Sequence, residues 1–264
     1  MKGLVRAMNR ILFEKSEIVG GRAAFCDARA EHVLNVLHGE VGQTIKTGEL
    51  DGLAGTSVIT GISGLHMREE GSAQRGSGLL AGTVEVECCH NEETVAPWFD
   101  LLLAPPRPRV LKRLLPQLAS LGVRRIVLVG AERVEKAFWG AQLLKEAVYR
   151  PLLVEGLMQG GTTAVPTIRC EKNFARYAVR GIDVDFAGQT KFVAHPGADG
   201  SQGWDAGDGG FPVLAIGPEG GWLEHEVEML EGKGFRRHSL GRRILRTDTA
   251  TIAAVAQLML GFGI

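Results

Sequence analysis

Hydrophobic and polar positions follow two different patterns along the chain, and the pattern changes near Thr94. Before that point, short apolar or β-branched runs separated by glycines indicate strands: NRILF, RAAFC, QTIKTG, GTSVITGIS and GTVEVECC. One helix is predicted over 28–37, because apolar residues recur there with helical spacing. The polar, Gly- and Ser-rich stretch 64–80 is expected to form a flexible hairpin loop. The first part of the chain is therefore predicted to be a small, mostly β domain.

After Thr94, predicted strands alternate with predicted helices. WFDLLLAPP indicates a buried strand, and a leucine-faced helix follows that contains Pro116 and stops at Gly122. Further strands are predicted at 124–130, 191–197, 211–217 and 235–241, and further helices at 132–158, 223–231 and 248–260. This alternation is typical of an α/β fold with a mainly parallel sheet. We therefore expect two domains, 1–92 and 93–264.

The stretch AIGPEGGW, residues 215–222, ends a buried strand with glycines and a proline. Ligands often bind where parallel strands end in such turns. The P-loop and dinucleotide patterns are both absent, so a phosphate-binding loop is not indicated. Two interpretations stay open at this point. The stretch is an ordinary tight turn, or its glycines let a ligand touch the backbone while Glu219 projects from the loop.

The second candidate is HSLGRRILRTDTATIAA, residues 238–254, where a strand again ends in Leu-Gly. Thr247 or Asp248 is predicted to cap the helix that follows. Five arginines and no acidic residue lie between 236 and 246: Arg236, Arg237, Arg242, Arg243 and Arg246. They form either a solvated basic face or a contact surface for RNA phosphates.

The third candidate is the turn AHPG, residues 194–197, where His195 is either a structural residue or part of a site. If the three strands that precede these turns are parallel, then 195–197, 217–221 and 241–246 gather at one sheet edge. That convergence is a stronger indication of a site than any one of the three turns.

Composition narrows the functional class only modestly. Lys and Arg total 30, as do Asp and Glu, and this balance argues against a non-specific nucleic-acid binder. The four cysteines show no CxxC spacing, which is typical of reduced thiols in a cytosolic protein, and no metal site is expected. The chain has no apolar stretch of roughly 18 residues and no signal-peptide core, so we expect a cytoplasmic protein that does not enter membranes.

Together these residues carry a family resemblance. IGPEGGW and LGRRILRTDTA, about 20 residues apart, resemble the paired signature of the SPOUT-superfamily methyltransferases that modify N3 of a uracil in bacterial 16S ribosomal RNA. MNRILFE and AEHVLNVLHGEVGQTI resemble the N-terminal PUA-like RNA-binding domain of that family. LKRLLPQLASLGVRRIVLV resembles its first α/β unit, and VAHPG its His-Pro turn. The resemblance thus runs over the whole chain.

The resemblance implies a PUA-like barrel domain followed by a SPOUT domain with a deep trefoil knot, and a homodimer that acts on the small ribosomal subunit. It implies that S-adenosylmethionine binds at His195, Pro196, Gly197, Ile216, Gly217, Pro218, Glu219, Gly220, Gly221, Leu240, Gly241, Ile244, Leu245 and Thr249. For RNA contacts it points to Arg10, Gln159, Arg236, Arg237, Arg242 and Arg243. Three positions depart from the family pattern. Met158 and Thr162 stand where charged residues are common, and Asp248 replaces the commoner Glu.

Methylation at N3 requires that the uracil lose its N3 proton and that charge on the flanking carbonyl oxygens be stabilised. Arg246 suits the second role, because a guanidinium stays charged and donates to O2 or O4. Glu219 and Asp248 are the candidate bases. The sequence favours Glu219, since helix capping already explains Asp248. The alternatives are a ribose 2′-O-methyltransferase of the same superfamily, a catalytically inactive RNA-binding assembly factor, and a nucleotide-binding α/β protein.

Overall fold

The structure, a computed structural model, describes residues 10–68, 79–196, 204 and 210–264. The chain divides into two units. The first extends to Val95 and also includes Leu157–Ala164, and the second comprises Ala96–Gly156 and Val165–Ile264. The return of Leu157–Ala164 to the first unit has no counterpart in the sequence analysis, which placed a single division after residue 92.

The described part of the first unit contains a five-stranded sheet, a helix between its second and third strands, and a short 3-10 turn at Lys15–Glu17. Its elements are β1 Ile11–Phe13, β2 Arg22–Phe25, α1 Ala28–Asn35, β3 Thr44–Glu49, β4 Ala54–Arg68 and β5 Leu79–Glu92. The strand order is β1-β3-β4-β5-β2. The β1–β3 pair is parallel and the other pairs are antiparallel. A core forms where Phe13 and Ile59 of the sheet pack with Val33 of α1.

The predicted loop at 64–80 is wrong at both ends, because β4 continues to Arg68 and β5 begins at Leu79. β4 and β5 stay paired on both sides of Gly64, with a shift in register between Ser63 and His66. Gly64 adopts φ +63°, a conformation that glycine accommodates readily. The remainder of the predicted loop, 69–78, lies outside the described residues.

The second unit is an α/β structure with a parallel sheet, as predicted, and the sheet has six strands, one more than the sequence indicated. Its strands are β6 Phe99–Leu103, β7 Val123–Val129, β8 Thr167–Glu171, β9 Gln189–Ala194, β10 Gly210–Ile216 and β11 Phe235–His238. They lie in the order β11-β9-β10-β6-β7-β8, and every neighbouring pair is parallel. The central strand β6 is buried along its whole length, which explains why its residues other than Asp100 are apolar.

The helices of this unit include several that the sequence analysis did not separate. They are α2 Pro108–Ser120, α3 Glu146–Gly160, α4 Phe174–Arg180, α5 Ile182–Asp185, α6 Glu224–Glu231 and α7 Thr247–Phe262. Strand β8 and helices α4 and α5 had no prediction. The helix predicted over 132–158 begins only at Glu146, because two short 3-10 turns precede it.

The ends of helix α2 and strand β11 show where the sequence predicted an element boundary correctly and where it did not. Helix α2 ends as predicted, with Gly122 at φ +84° just beyond it. The strand predicted over 235–241 stops at His238, so the residues from Ser239 onward are free to form a loop. Within the described ranges, no helix combines the length and apolar character needed to cross a bilayer.

Candidate active site

A cavity of about 290 Å³ lies where strands β9, β10 and β11 end. The loop after β9 contributes Ala194, His195 and Pro196. The loop after β10 contributes Ile216, Gly217, Pro218, Glu219, Gly220, Gly221 and Trp222. The connection from β11 to α7 and the first turn of that helix contribute Leu240, Gly241, Arg243, Ile244, Leu245, Thr247 and Ala250. The predicted convergence of the three loops is therefore confirmed, whereas Gly197 lies outside the described residues.

The loop after β10 is a tight turn packed on a tryptophan. Gly221 donates its N–H to the carbonyl of Pro218 at 2.8 Å and has φ +72°. A Cβ at Gly217 would lie 3.0 Å from the Cδ1 and backbone N of Trp222, tighter than ordinary packing. Trp222 in turn is buried beside Phe174, with ring centroids 5.3 Å apart. The glycines therefore set both the path of the turn and its fit against the core.

Glu219 is held by the chain that precedes helix α2. Its Oε1 accepts a hydrogen bond from the backbone N–H of Arg107 at 2.9 Å. On the next residue, the carbonyl of Gly220 accepts a hydrogen bond from the Arg133 guanidinium. Two elements that lie far away in the sequence thus fasten the exposed tip of the loop.

The loops after β9 and β11 are joined at their bases. His195 donates its backbone N–H to the carbonyl of His238 at 3.0 Å, which extends the pairing of the two strands. Gly241 has φ +109°, where side chains are strongly disfavoured, and donates to Ser239 Oγ at 3.2 Å. The next apolar residue, Ile244, is 90% exposed although it borders the cavity.

His238 is buried beneath this junction. Its ring lies 3.8 Å from that of Trp204, centroid to centroid. Burial, with a smaller contribution from Arg236, lowers the pKa of His238 below its ordinary value of 6.5. The Trp204 Nε1–H donates to Gln257 Oε1 of α7 at 2.6 Å, so the helix is tied to the same cluster.

The predicted cap of helix α7 is wrong. The residue at the N-cap position is Arg246, and no side chain provides a capping hydrogen bond there. Thr247 is buried, and the Asp248 carboxylate turns toward two arginines instead. Arg113 Nη2 of α2 lies 3.2 Å from Asp248 Oδ2, and Arg246 Nε lies 3.6 Å from Asp248 Oδ1.

This Arg113–Asp248–Arg246 triad borders a second cavity of about 370 Å³, whose other lining residues are Leu114, Gln117 and Thr249. Thr249, predicted to bind the cofactor, lines this second cavity and is not among the residues of the first. The first turn of α7 therefore separates two spaces. Thr247 and Ala250 face the first cavity, and Asp248 and Thr249 face the second.

The arginines predicted to bind RNA have different surroundings. Arg242 and Arg243 are exposed on the connection that lines the first cavity. Arg237 pairs with Glu231 and Glu224, and these bonds raise its pKa. The guanidinium of Arg236 lies 4.8 Å from the ring centroid of Phe192.

In the first unit, Arg10 points inward. Its Nη1 donates to the carbonyls of Thr47 and Gly55 at 2.6 and 3.1 Å, and its Nε donates to that of Gly161 at 3.2 Å. Burial lowers the pKa of Arg10 below its ordinary value. Gln159, by contrast, is exposed near the end of α3.

The first cavity suits a nucleoside-sized, partly apolar ligand. Its volume is at the lower end of the roughly 300–1,000 Å³ of small-molecule sites. Ile216, Leu240 and Leu245 supply apolar walls. A Cβ added at Gly221 or Gly241 would meet no atom within 4 Å, so open space lies against the bare backbone there. Among the described residues, no cluster of His, Cys, Asp and Glu is suited to hold a metal ion.

Several residues of the two cavities had no sequence prediction as site residues: Arg113, Leu114, Gln117, Thr247 and Ala250. Arg107, whose backbone N–H holds Glu219, was not predicted either. Arg113 and Gln117 lie on α2 more than 100 residues before the helix they face, and no local pattern links them to it. The helical spacing of 247 and 250 was the available signal for those two residues, because it places them on one face.

Comparison with known proteins identifies the family. Residues 94–259 match the RNA methyltransferase domain family. The chain is 30% identical over 256 residues to the ribosomal RNA small subunit methyltransferase E of Treponema pallidum, covering 96% of this chain and 91% of that protein.

Two solved structures share the fold. One is a protein from Legionella pneumophila solved in complex with the cofactor SAM, with a TM-score of 0.69, 22% identity, and coverage of 96% of this chain and 97% of that one. The other is a ribosomal RNA small subunit methyltransferase E from Neisseria gonorrhoeae bound to S-adenosylmethionine, with a TM-score of 0.64, 23% identity, and coverage of 96% and 97%.

Proposed function

The chain belongs to the RNA methyltransferase family, and we propose that it transfers a methyl group from S-adenosylmethionine to N3 of a uracil in the 16S ribosomal RNA of the small ribosomal subunit. The observation that carries the proposal is the convergence of the two motif loops and the His195 loop on one cavity. The Treponema pallidum relative, named for small-subunit ribosomal RNA methylation, supports this substrate class.

The first cavity is the proposed cofactor site. S-adenosylmethionine, when bound, supplies a methyl group on a positively charged sulfur. The apolar side chains of Ile216, Leu240 and Leu245 would pack against its adenine ring, and backbone groups of 217–221 would hold its polar atoms. Gly221 and Gly241 carry no side chain, so open space lies against the backbone at both positions. Thr249 is the one described residue of the predicted cofactor set that we do not place here.

The chemistry required of the protein is proton removal from N3 and stabilisation of charge on O2 and O4. We assign the second role to Arg246, whose side chain is 72% exposed and available to a substrate. Glu219 and Asp248 are the candidate bases. They differ in surroundings, because Glu219 accepts a backbone N–H and Asp248 lies between two guanidinium groups.

RNA phosphates are the proposed partners of the exposed Arg242 and Arg243, with Arg236, Arg237 and Gln159 as further candidates. Arg10 is the remaining candidate, and its donors serve backbone carbonyls within the first unit. Affinity for RNA should fall as the salt concentration rises, because the release of counterions then contributes less to binding. A binding constant that does not change between low and high salt would contradict these contacts.

We further propose that the first unit is a PUA-like barrel and that the second unit contains a deep trefoil knot. The resemblance of the sequence motifs supports both, and the cavity formed by three successive loops is the arrangement expected at such a knot. Mechanical unfolding tests the knot. A knotted chain, stretched between its ends, gives a contour length shorter than its residue count predicts.

A homodimer in the cytoplasm is the proposed functional form. Leu260 near the end of α7 and Ile264 just beyond it are 83% and 54% exposed, and Ile244 beside the cavity is 90% exposed. We propose that a second copy of the chain covers these side chains. Sedimentation equilibrium should give twice the chain mass of 28.4 kDa.

The decisive experiment is to delete the gene and map ribosomal RNA methylation by mass spectrometry. Loss of one N3-methyluridine from 16S RNA, restored by the wild-type gene, is the expected result. If the protein is a ribose 2′-O-methyltransferase, deletion of its gene would instead remove a block to alkaline cleavage of the RNA. An inactive assembly factor would leave methylation intact and would fail to bind S-adenosylmethionine in calorimetry.

A further inference from the structure

The second cavity is built from two parts of the chain that lie far apart in sequence. Arg113 and Gln117 project from α2, and Arg246, Asp248 and Thr249 come from the start of α7. Leu114 of α2, which is buried, forms an apolar wall. This cavity shares the first turn of α7 with the proposed cofactor cavity, so a flat group bound in it lies beside that site.

The charges in this cavity alternate in sign. Asp248 lies in the middle, with Arg113 Nη2 3.2 Å from one carboxylate oxygen and Arg246 Nε 3.6 Å from the other. The Asp248 side chain is 22% exposed, whereas those of Arg113 and Arg246 are 63% and 72% exposed. Each guanidinium has five N–H donors, so donors remain on both arginines after the contacts with Asp248.

A uracil edge has the complementary order. O4 accepts, N3–H donates and O2 accepts, while the triad presents a donor, an acceptor and a donor. A cytosine edge does not match, because its amino group would face a guanidinium and its N3 would face a carboxylate. An edge-on match of this kind is how enzymes that modify bases read a nucleotide turned out of its stack.

We propose that the second cavity receives the target uracil, that Arg113 and Arg246 hold its two carbonyl oxygens, and that Asp248 is the base. In the reaction, N3 forms the bond to the methyl carbon, and the electrons of the broken carbon–sulfur bond stay on sulfur. The N3 proton passes to the Asp248 carboxylate. The sulfonium charge and the carboxylate charge are both neutralised, so the step balances.

This assignment gives Glu219 a different role. Its Oε1 accepts the Arg107 N–H, which makes it a positioning residue for the cofactor loop. The charged groups that face Asp248 are Arg113 from α2 and Arg246 from the connection before α7. The backbone N–H of Thr249 also donates to Asp248 Oδ1 at 3.1 Å.

The inference rests on the proposed function and is tested by single-turnover methylation of small-subunit RNA over a range of pH. Asp248→Asn should slow the reaction by about 10²–10⁴-fold. Its rate should then rise tenfold per pH unit, because hydroxide must remove the proton. Asp248→Glu should restore most of the rate. Arg113→Gln should lower the rate about 10–100-fold through loss of one donor to a carbonyl oxygen, with less effect on the KM for RNA.

Lys112→Gln is the matched control, since Lys112 is an exposed cation on the same helix and does not line the cavity. All variants should bind S-adenosylmethionine with wild-type affinity in calorimetry, which shows that they are folded. If wild-type protein makes N3-methyluridine but Asp248→Asn keeps the wild-type rate and pH profile, the triad is not the uracil site. The triad is also not the uracil site if Glu219→Gln, rather than Asp248→Asn, gives a rate that rises tenfold per pH unit. If wild-type protein methylates a ribose, both this inference and the proposed function are overturned.

Discussion

Glu219 Oε1 accepts the backbone N–H of Arg107 at 2.9 Å, which joins two residues 112 positions apart. Arg107 is the residue immediately before helix α2, and Glu219 lies at the tip of the glycine-rich loop after β10. The bond therefore fixes the loop that borders the proposed cofactor cavity to the start of the helix that borders the second cavity.

Glu219→Ala should weaken S-adenosylmethionine binding about fivefold, since one hydrogen bond of about 1 kcal/mol no longer holds the loop. Glu219→Gln should bind nearly as well as wild type, because the amide oxygen still accepts the Arg107 N–H. Calorimetric titration measures both. Glu228→Ala removes another exposed carboxylate, on α6, and serves as the control. Equal losses in the Ala and Gln variants would contradict a positioning role.

Gly221→Ala and Gly241→Ala should each lower the free energy of unfolding by about 1 kcal/mol or more, because alanine disfavours φ +72° and φ +109°. Neither Cβ would meet an atom within 4 Å, so crowding is not the cause. Urea denaturation measures the change. Gly140→Ala, also in open space but with no positive φ, is the matched control and should not lower the midpoint. A loss of the same size at Gly140 would show that backbone conformation is not responsible.

The position of the cavity followed from the sequence because three glycine-containing turns each end a strand of one parallel sheet. In such a sheet, all carboxyl ends lie at the same edge, so local patterns were sufficient to bring His195, Gly217 and Gly241 together. The side chains on α2 carry no comparable signal. The proposed role of Arg113 depends on its ion pair with Asp248, which lies 135 positions later in the chain.

The wrong cap prediction for α7 likewise reflects a contact between residues that lie far apart in the sequence. Thr247, Asp248 and Thr249 have the composition of a helix N-cap, and the sequence contains nothing to oppose that interpretation. In the structure, the helix begins at Thr247, so Asp248 lies inside its first turn and its carboxylate pairs with Arg113 and Arg246. The partner Arg113 lies 135 positions away and leaves no local signal, so helix capping was the available explanation of Asp248 and Glu219 was favoured as the base.

Asp100→Asn should lower the free energy of unfolding by about 3 kcal/mol, because it removes the charge that compensates two arginines. The Asp100 carboxylate is fully buried and lies 2.6 Å from the guanidinium groups of Arg124 and Arg125. Asp100 lies near the start of β6, whereas the cavity lies where the strands end, so cofactor affinity should not change in the folded variant. Denaturant titration and calorimetry measure the two properties.

The control for Asp100 is Asp183→Asn, which breaks the ion pair between Asp183 and Lys233. Asp183 is 58% exposed, so this variant should cost below about 1 kcal/mol. Equal losses in the two variants would show that burial does not set the strength of the Asp100 ion pairs.

His238 should make the protein less stable in mild acid. Its pKa in the folded protein lies below the ordinary value of 6.5, because burial and Arg236 disfavour the charged ring. The unfolded chain therefore binds the proton more readily. The contribution of His238 to stability is complete above pH 6.5 and is lost as the pH falls through 6.5 toward the lower folded value.

The free energy of unfolding, measured by urea titration from pH 7.5 to 5, should thus fall more steeply for wild type than for His238→Gln. His32 and His90 also have lowered pKa values, but they are present in both proteins and cancel in the comparison. If His238→Gln keeps the wild-type slope, the buried ring beside Trp204 does not respond to acid, and the loss of stability must arise elsewhere.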